Sequence, residues 1–435
     1  MSVEFIYHLL SVIGITTLSI SEQRLINNVD VAKPELALSG IKVLDISSGY
    51  AGGYCTKVLR DLGADVIKVE IPQVGDICRS FGPFFNNEPN IETSAPHLYL
   101  NAGKKSITLD VTNPEAKDIF LTLCAESDIL VENFKPGLMS QMGFRYEKLS
   151  TPNPGLIMCS LTYFGQFGPY SNFEGSDIVS YAMSGYMHLT GDEDKEPMKA
   201  GGRQAEYQCG LAGSMSIIAA LIARSLSGHG DHIDVSATEA LTSTFDGVAY
   251  FQTYRKTGSD PTRAGTRLIT REPTGAYPST LLPCKDGWVH VHYSPSNPEG
   301  IGFLTGNERL ADDEVMSRMR EHADEIDDLI TEWLRDHTRE EVQTLAQEVR
   351  VPFTMVQSIE ETMSDPQNQH RKFFTPIEHE VVGKMSYPTS PFRLKTAGWE
   401  ALPAPILGQN NHDVYEKDLN ISVSKITDLK TKGVV

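Results

Sequence analysis

The sequence predicts an α/β protein built on a parallel, doubly wound sheet, and three observations carry that prediction. Residues 41–46 (IKVLDI) and 65–70 (DVIKVE) are short, β-branched runs that enclose a helical stretch, the pattern of a βαβ unit. Strand and helix signals then keep alternating through the first ~160 residues. Finally, the 435-residue chain is 40% hydrophobic and 22% charged, the composition of a globular protein with room for two domains and a sizeable core.

Taken in order, the turn at 47–53 (SSGYAGG) leads into a helix over 54–62 that Gly63 closes. The turn is not G-x-G-x-x-G, so the dinucleotide fingerprint is weak. Glu70 ends the second strand, as a ribose-binding acid or a solvated strand end. A third strand at 106–111 is followed by Asn113-Pro114, a helix-start signal for 115–125. A fourth strand at 128–132 ends at NFKPG, residues 133–137, and 146–150 and 155–161 continue the alternation. A helix opens at Asp177. The next runs through GLAGSMSIIAALIARSL, where small and apolar residues at helical spacing predict a buried helix with Glu206 at its mouth.

After that helix, residues 228–236 form a turn and strand, and a helix starts at Thr238. Composition shifts after Tyr254, and the polar, turn-rich stretch 255–273 reads as a linker. Residues 276–292 read as a hairpin about Lys285-Asp286-Gly287, and 312–347 as two surface helices. The units are therefore 1–37, an N-terminal extension; 38–254, a large domain; 255–355, a small domain; and 356–435, a segment returning to the large one. Residues 5–20 are apolar but short for a membrane span and interrupted by His8. They lack a basic leader, so a surface-packed or poorly ordered extension is expected rather than a secretory signal.

Charge and motif narrow the chemistry. The net charge of -19 argues against nucleic acid or an anionic membrane as partner, though a phosphorylated small ligand needs only a local cluster of donors. Six scattered cysteines without a CxxC pair fit a reducing cytoplasm. Neither HExxH nor H-x-x-x-H occurs, so no metal site is expected, and G-x-S-x-G is absent. Lys104, Lys105 and Lys135 stand beside strand or loop ends, where phosphates bind in open sheets. Glu206 enters a first helical turn, where unpaired N–H groups stabilise a charged carboxylate. It is a candidate nucleophile, or else a residue that only complements the dipole.

The segments IKVLDIS, AGGYCTKVLRDLGADVIKVE, NAGKKSITLDV, DILVENFKPG with MGF, FGQFGP, GSDIVSYAMSG, GHGDHIDVS and VPFTMVQSIEETMSDPQ occur in that order over residues 38–417. Together they resemble the family III CoA-transferases. The resemblance implies a Rossmann-like parallel-sheet large domain plus a smaller α+β domain in an interlocked homodimer, with a hetero-oligomer containing a homologue as the alternative. It implies coenzyme A thioester and carboxylic acid as substrates, and no permanently bound cofactor. By position, Tyr50 and Ala51 match the first CoA-contacting turn, Leu109 and Asp110 through Thr112 the second, and Asn133, Phe134 and Lys135 the third. Lys68 and Asp177 join this expected set, and Lys135 is expected nearest a phosphate.

Several positions depart from the family pattern. Ile71 and Gln141 stand where some members have arginine, and Glu174 where one branch has lysine. Glu206 stands where transferases of this family place an aspartate. Ser176 replaces the histidine that racemases need, which disfavours two-base proton exchange. A glycine-rich gating loop is not evident around Gly265 and Gly275. The resemblance therefore implies transfer of CoA between acids through a covalent carrier at Glu206. A non-catalytic CoA-binding subunit and an acyl-CoA racemase remain the alternatives.

Overall fold

The computed structural model describes residues 36–244, 254–258, 263, 265–267, 277–395 and 397–435. Residues 1–35 of the expected extension, most of the linker, and Gly275 lie outside them. The large unit is an α/β layer structure whose elements are β1 (Lys42–Asp45), α1 (Tyr50–Asp61), β2 (Asp65–Glu70), α2 (Ala95–Leu100), β3 (Lys105–Thr108), α3 (Lys117–Ala125), β4 (Ile129–Glu132), β5 (Ile157–Thr162), α4 (Asp177–Met183), α5 (Gln204–Ser227), β6 (His232–Ser236) and α6 (Ala237–Thr244). Six strands pair in the order β3-β2-β1-β4-β5-β6, and every pairing is parallel. Helices cover both faces of such a sheet, so its central strands are continuous apolar runs; all four residues of β4 are buried. The strand order reverses between β1 and β4, which opens a crevice at their carboxyl ends.

Helix α5 departs from the expectation of full burial. One face is buried through Ala205, Glu206, Cys209, Gly210, Gly213, Ser214 and Ile217, while Met215, Ile222 and Leu226 are exposed. The small residues explain the asymmetry. A Cβ on Gly210 would come within 2.4 Å of the Ala51 carbonyl oxygen, and one on Gly213 within 2.8 Å of Leu161. Glycine there lets α5 lie directly against α1 and the sheet, and the larger side chains turn outward.

The small unit has its own core. Strands β7 (Ser279–Cys284), β8 (Gly287–His292) and β9 (Thr354–Met355) form an antiparallel sheet, against which α7 (Ala323–Leu334) and α8 (Arg339–Glu348) pack. Its buried residues include Val289, Val291, Ile326, Ile330, Val342 and Phe353. The two helices bury an apolar stripe and expose a charged face, which is why their sequence reads as surface. A hairpin of β10 (Phe374–His379) and β11 (Gly383–Pro388) follows. The tail then docks on the large sheet: the Tyr415 hydroxyl donates to the Thr108 carbonyl at 2.7 Å, and Val414, Leu429 and Val434 join Leu44, Ile107 and Phe120 in one core.

Candidate active site

The crevice at the sheet's reversal point opens into a cavity of about 630 Å3. Its walls come from the β1–α1 turn (Ser48 to Ala51), the turn after β4 (Asn133 to Pro136), the end of β5 and its loop (Leu161 to Phe164), Phe173 to Gly175, and the start of α5 (Arg203, Glu206). The first two turns are locked together. Ser48 N–H donates to Asn133 Oδ1 at 2.8 Å, and Asn133 Nδ2 donates to the Ser48 carbonyl at 2.6 Å. Gly49 initiates α1 with φ +87°, a left-handed conformation that disfavours a side chain, and its N–H reaches the Asp76 carboxylate.

Glu206 lies in the cavity wall with only 7% of its surface exposed. The Tyr163 hydroxyl donates to Oε1 at 2.6 Å, and Arg203 approaches Oε2 at 3.3 Å. Arg203 is itself held by aromatic faces, its guanidinium 4.8 Å from the Tyr50 centroid and 5.0 Å from that of Phe81. Burial pushes the Tyr163 phenol above its ordinary pKa, and the Glu206 charge pushes it further, so the hydroxyl stays protonated and donates. Asp177 secures the helix start: its Oδ1 accepts from the Ala205 N–H at 2.9 Å, and Lys199 stands 3.2 Å from Oδ2. A carboxylate at this end also suits the helix dipole.

Behind the β1–α1 turn the charges are saturated. Asp45, with no exposed surface, faces Lys68 at 3.2 Å and Lys104 at 3.3 Å and accepts from the Ser47 and Thr56 hydroxyls. Burial alone would raise its pKa, yet the two lysines and two hydroxyls bring it down to about 2. Burial brings Lys104 down to about 8. Glu70 is neither solvated nor open to a ribose; Arg79 binds it at 2.6 and 2.9 Å and Ser106 at 2.6 Å. Across the reversal point, Glu132 is buried with no cation paired to it among the described residues, and desolvation raises its pKa to about 7 against donors from Ser160 and the Phe134 N–H. Among the described residues no cluster of metal-ligating side chains occurs.

Of the residues singled out from sequence, Glu206, Tyr50, Ala51, Asn133, Phe134 and Lys135 line this cavity together. Lys68, Leu109, Asp110 and Asp177 do not. Lys68 is 1% exposed and spent on Asp45 and Asp76, because a strand interior leaves its ammonium no route to the cavity. Leu109 is core, Asp110 caps a local turn through Thr112, and Asp177 turns to the α5 terminus. Lys104 and Lys105 are likewise paired, with Asp45 and Asp65. Exposed Lys135 pairs with Glu174 at the cavity mouth. Sequence reading missed Arg203 and Tyr163. Arg203 sits three residues before Glu206, a spacing that signals a helical pair. Tyr163 lies 43 residues away in sequence and gives no local signal.

A six-stranded parallel sheet with a carboxylate in a cavity at its reversal point defines a doubly wound α/β protein with its cavity where such folds bind ligands. Comparison makes this specific. Residues 38–411 match the model of CoA-transferase family III, and the chain belongs to that family and is a CoA-transferase. It is 33% identical over 81% of its length to the succinate–glutarate CoA-transferase of Agrobacterium fabrum, covering 88% of that protein. It is 31% identical to the succinyl-CoA–L-malate CoA-transferase alpha subunit of Chloroflexus aurantiacus, over 92% of this chain and 93% of that one. A CAIB/BAIF family protein from Brucella suis has a solved structure that superposes with a TM-score of 0.77 at 30% identity, covering 88% of this chain and 99% of that one.

Proposed function

We propose that this enzyme moves CoA between an acyl-CoA and a free carboxylic acid through a covalent intermediate on Glu206. The observation that carries the reading is the buried Glu206 carboxylate, clamped at the reversal-point cavity between Tyr163 and Arg203. A pantetheine arm entering past Tyr50, Ala51, Asn133 and Phe134 would bring its thioester to that carboxylate, with Lys135 near a phosphate once Glu174 releases it. Glu206 attacks the thioester to give a mixed anhydride and CoA thiolate. The thiolate returns to the glutamyl carbon, the donor acid leaves, and the acceptor acid then takes up the CoA. Both intermediates hydrolyse, so the apolar walls serve to exclude water.

Dicarboxylic acids are the substrate class we favour. The relatives named above act on succinate, glutarate and malate, and Arg203 supplies a guanidinium among the described lining residues for a second carboxylate. The exposed apolar face of α5 supports an interlocked homodimer, since Met215, Ile222 and Leu226 lie on a helix next to the site. The alpha-subunit relative keeps a hetero-oligomer, and with it a non-catalytic CoA-binding role, as the second reading. Free cysteines support a cytoplasmic location. The test is mass spectrometry after incubation with succinyl-CoA and borohydride or hydroxylamine. Modified Glu206 is expected, and Glu206→Gln should abolish both modification and exchange. Full exchange by Glu206→Gln would end this reading.

A further inference from the structure

Glu206 presents two chemically unequal oxygens. Oε1 accepts a 2.6 Å hydrogen bond from Tyr163, whereas Oε2 has only the 3.3 Å approach of Arg203. Arg203 is 41% exposed in its side chain, whereas Tyr163 is fixed at both its backbone and its ring. Its carbonyl accepts from the Thr238 N–H at 3.1 Å and the Thr238 hydroxyl at 2.9 Å. Its ring lies on the backbone of Gly175, where an added Cβ would fall 2.4 Å from the ring and from Tyr163 Cβ. Two separate segments therefore aim one phenol at one oxygen.

We infer that Tyr163 is a catalytic residue, the oxyanion donor for every step in which the carbonyl carbon of Glu206 is attacked. The inference rests on the glutamyl reading above. In the first step Oε2, the looser oxygen, attacks the donor thioester; its carbonyl collapses with loss of CoA thiolate and leaves Oε1 as the carbonyl oxygen of the anhydride. When the thiolate attacks the Glu206 Cδ, the electron pair moves onto Oε1, already within hydrogen-bond reach of Tyr163. Collapse breaks the Cδ–Oε2 bond, the donor carboxylate departs with Oε2, and a glutamyl thioester remains. The acceptor carboxylate attacks the same carbon, Oε1 again holds the negative charge, and the thiolate leaves. The returning thiolate then attacks the acceptor carbonyl and Glu206 departs as carboxylate. No proton need be transferred at any stage, which suits a donor that stays protonated.

The test is Tyr163→Phe, which keeps the ring on Gly175 and removes only the hydroxyl. With succinyl-CoA and glutarate as probe pair, kcat should fall by ~10²–10³-fold with KM for succinyl-CoA unchanged. The rate at which borohydride traps the Glu206 thioester should fall in parallel. Unchanged or raised kcat would overturn the inference, as would equal loss of kcat and succinyl-CoA affinity. Should Tyr163→Phe fail to fold, a fluorinated tyrosine at 163 replaces it. Its more acidic phenol should give the pH–rate profile a new alkaline limb, and an unaltered profile would overturn the inference. Glu206→Gln assayed alongside separates the two failures. An active Glu206→Gln sinks the glutamyl reading itself, whereas an inactive one beside a fully active Tyr163→Phe sinks the tyrosine's role alone.

Discussion

Asp45 and Glu206 are both buried carboxylates near the carboxyl edge of one sheet, and their surroundings make them opposites. Asp45 is enclosed by two lysines and two hydroxyls and has no surface left for a ligand. Glu206 has one short contact, one long contact and a cavity in front of it. Burial alone does not mark a reactive acid. What sets Glu206 apart from Asp45 is an oxygen with hydrogen-bonding capacity to spare that faces open space, since a fully paired charge gains nothing by leaving its partners.

The comparison can be broken most decisively at Glu206. Glu206→Gln should cut CoA exchange by more than ~10⁴-fold while leaving thermal stability nearly unchanged, read by steady-state assay beside a melting curve. The mirror experiment is Lys68→Met, which strips a partner from Asp45 and Asp76 in the dry interior. It should destabilise the fold by about 3–5 kcal/mol in urea unfolding, with any catalytic loss following from that instability.

Proton linkage sharpens the contrast between the two sides of the reversal point. Glu132 has its folded pKa raised to about 7 by burial, so its contribution to stability is full below the ordinary carboxyl value of 4.5 and is lost as pH rises through 7. Asp45 runs the other way: held down at about 2, it contributes above its ordinary value of 3.8 and loses that as pH falls through about 2. Glu132→Gln should flatten the decline in stability between pH 4.5 and 7 by about 3 kcal/mol, measured by urea unfolding across that range. The smallest effect belongs to Lys135→Ala. Its ion pair with Glu174 is exposed, so folding should change by under ~1 kcal/mol. KM for acyl-CoA should rise by only about fivefold, and less at high salt.

Local pattern made much of the site legible. The βαβ runs locate the turns that carry Tyr50 and Asn133, and the small-residue helix locates Glu206, because period and turn chemistry are properties of neighbouring residues. Basic residues misled the reading. Lys68 inside a strand and Lys104 and Lys135 beside strand or loop ends look alike as positive charges, yet the first two are spent on Asp45 and the third is exposed. The exposed side of α5 was illegible for a related reason, since an apolar helix reads as buried whether its cover comes from its own chain or from another.

By itself the sequence determined the alternating α/β order, the parallel sheet and the placement of a carboxylate in the first turn of a glycine-bearing helix. Only the tertiary structure decided which charges are consumed and which remain available. It brought Tyr163 to Oε1 across 43 residues and turned Asp177 onto the helix that carries Glu206. Strand order and close packing set those partnerships, and neither is a function of spacing along the chain.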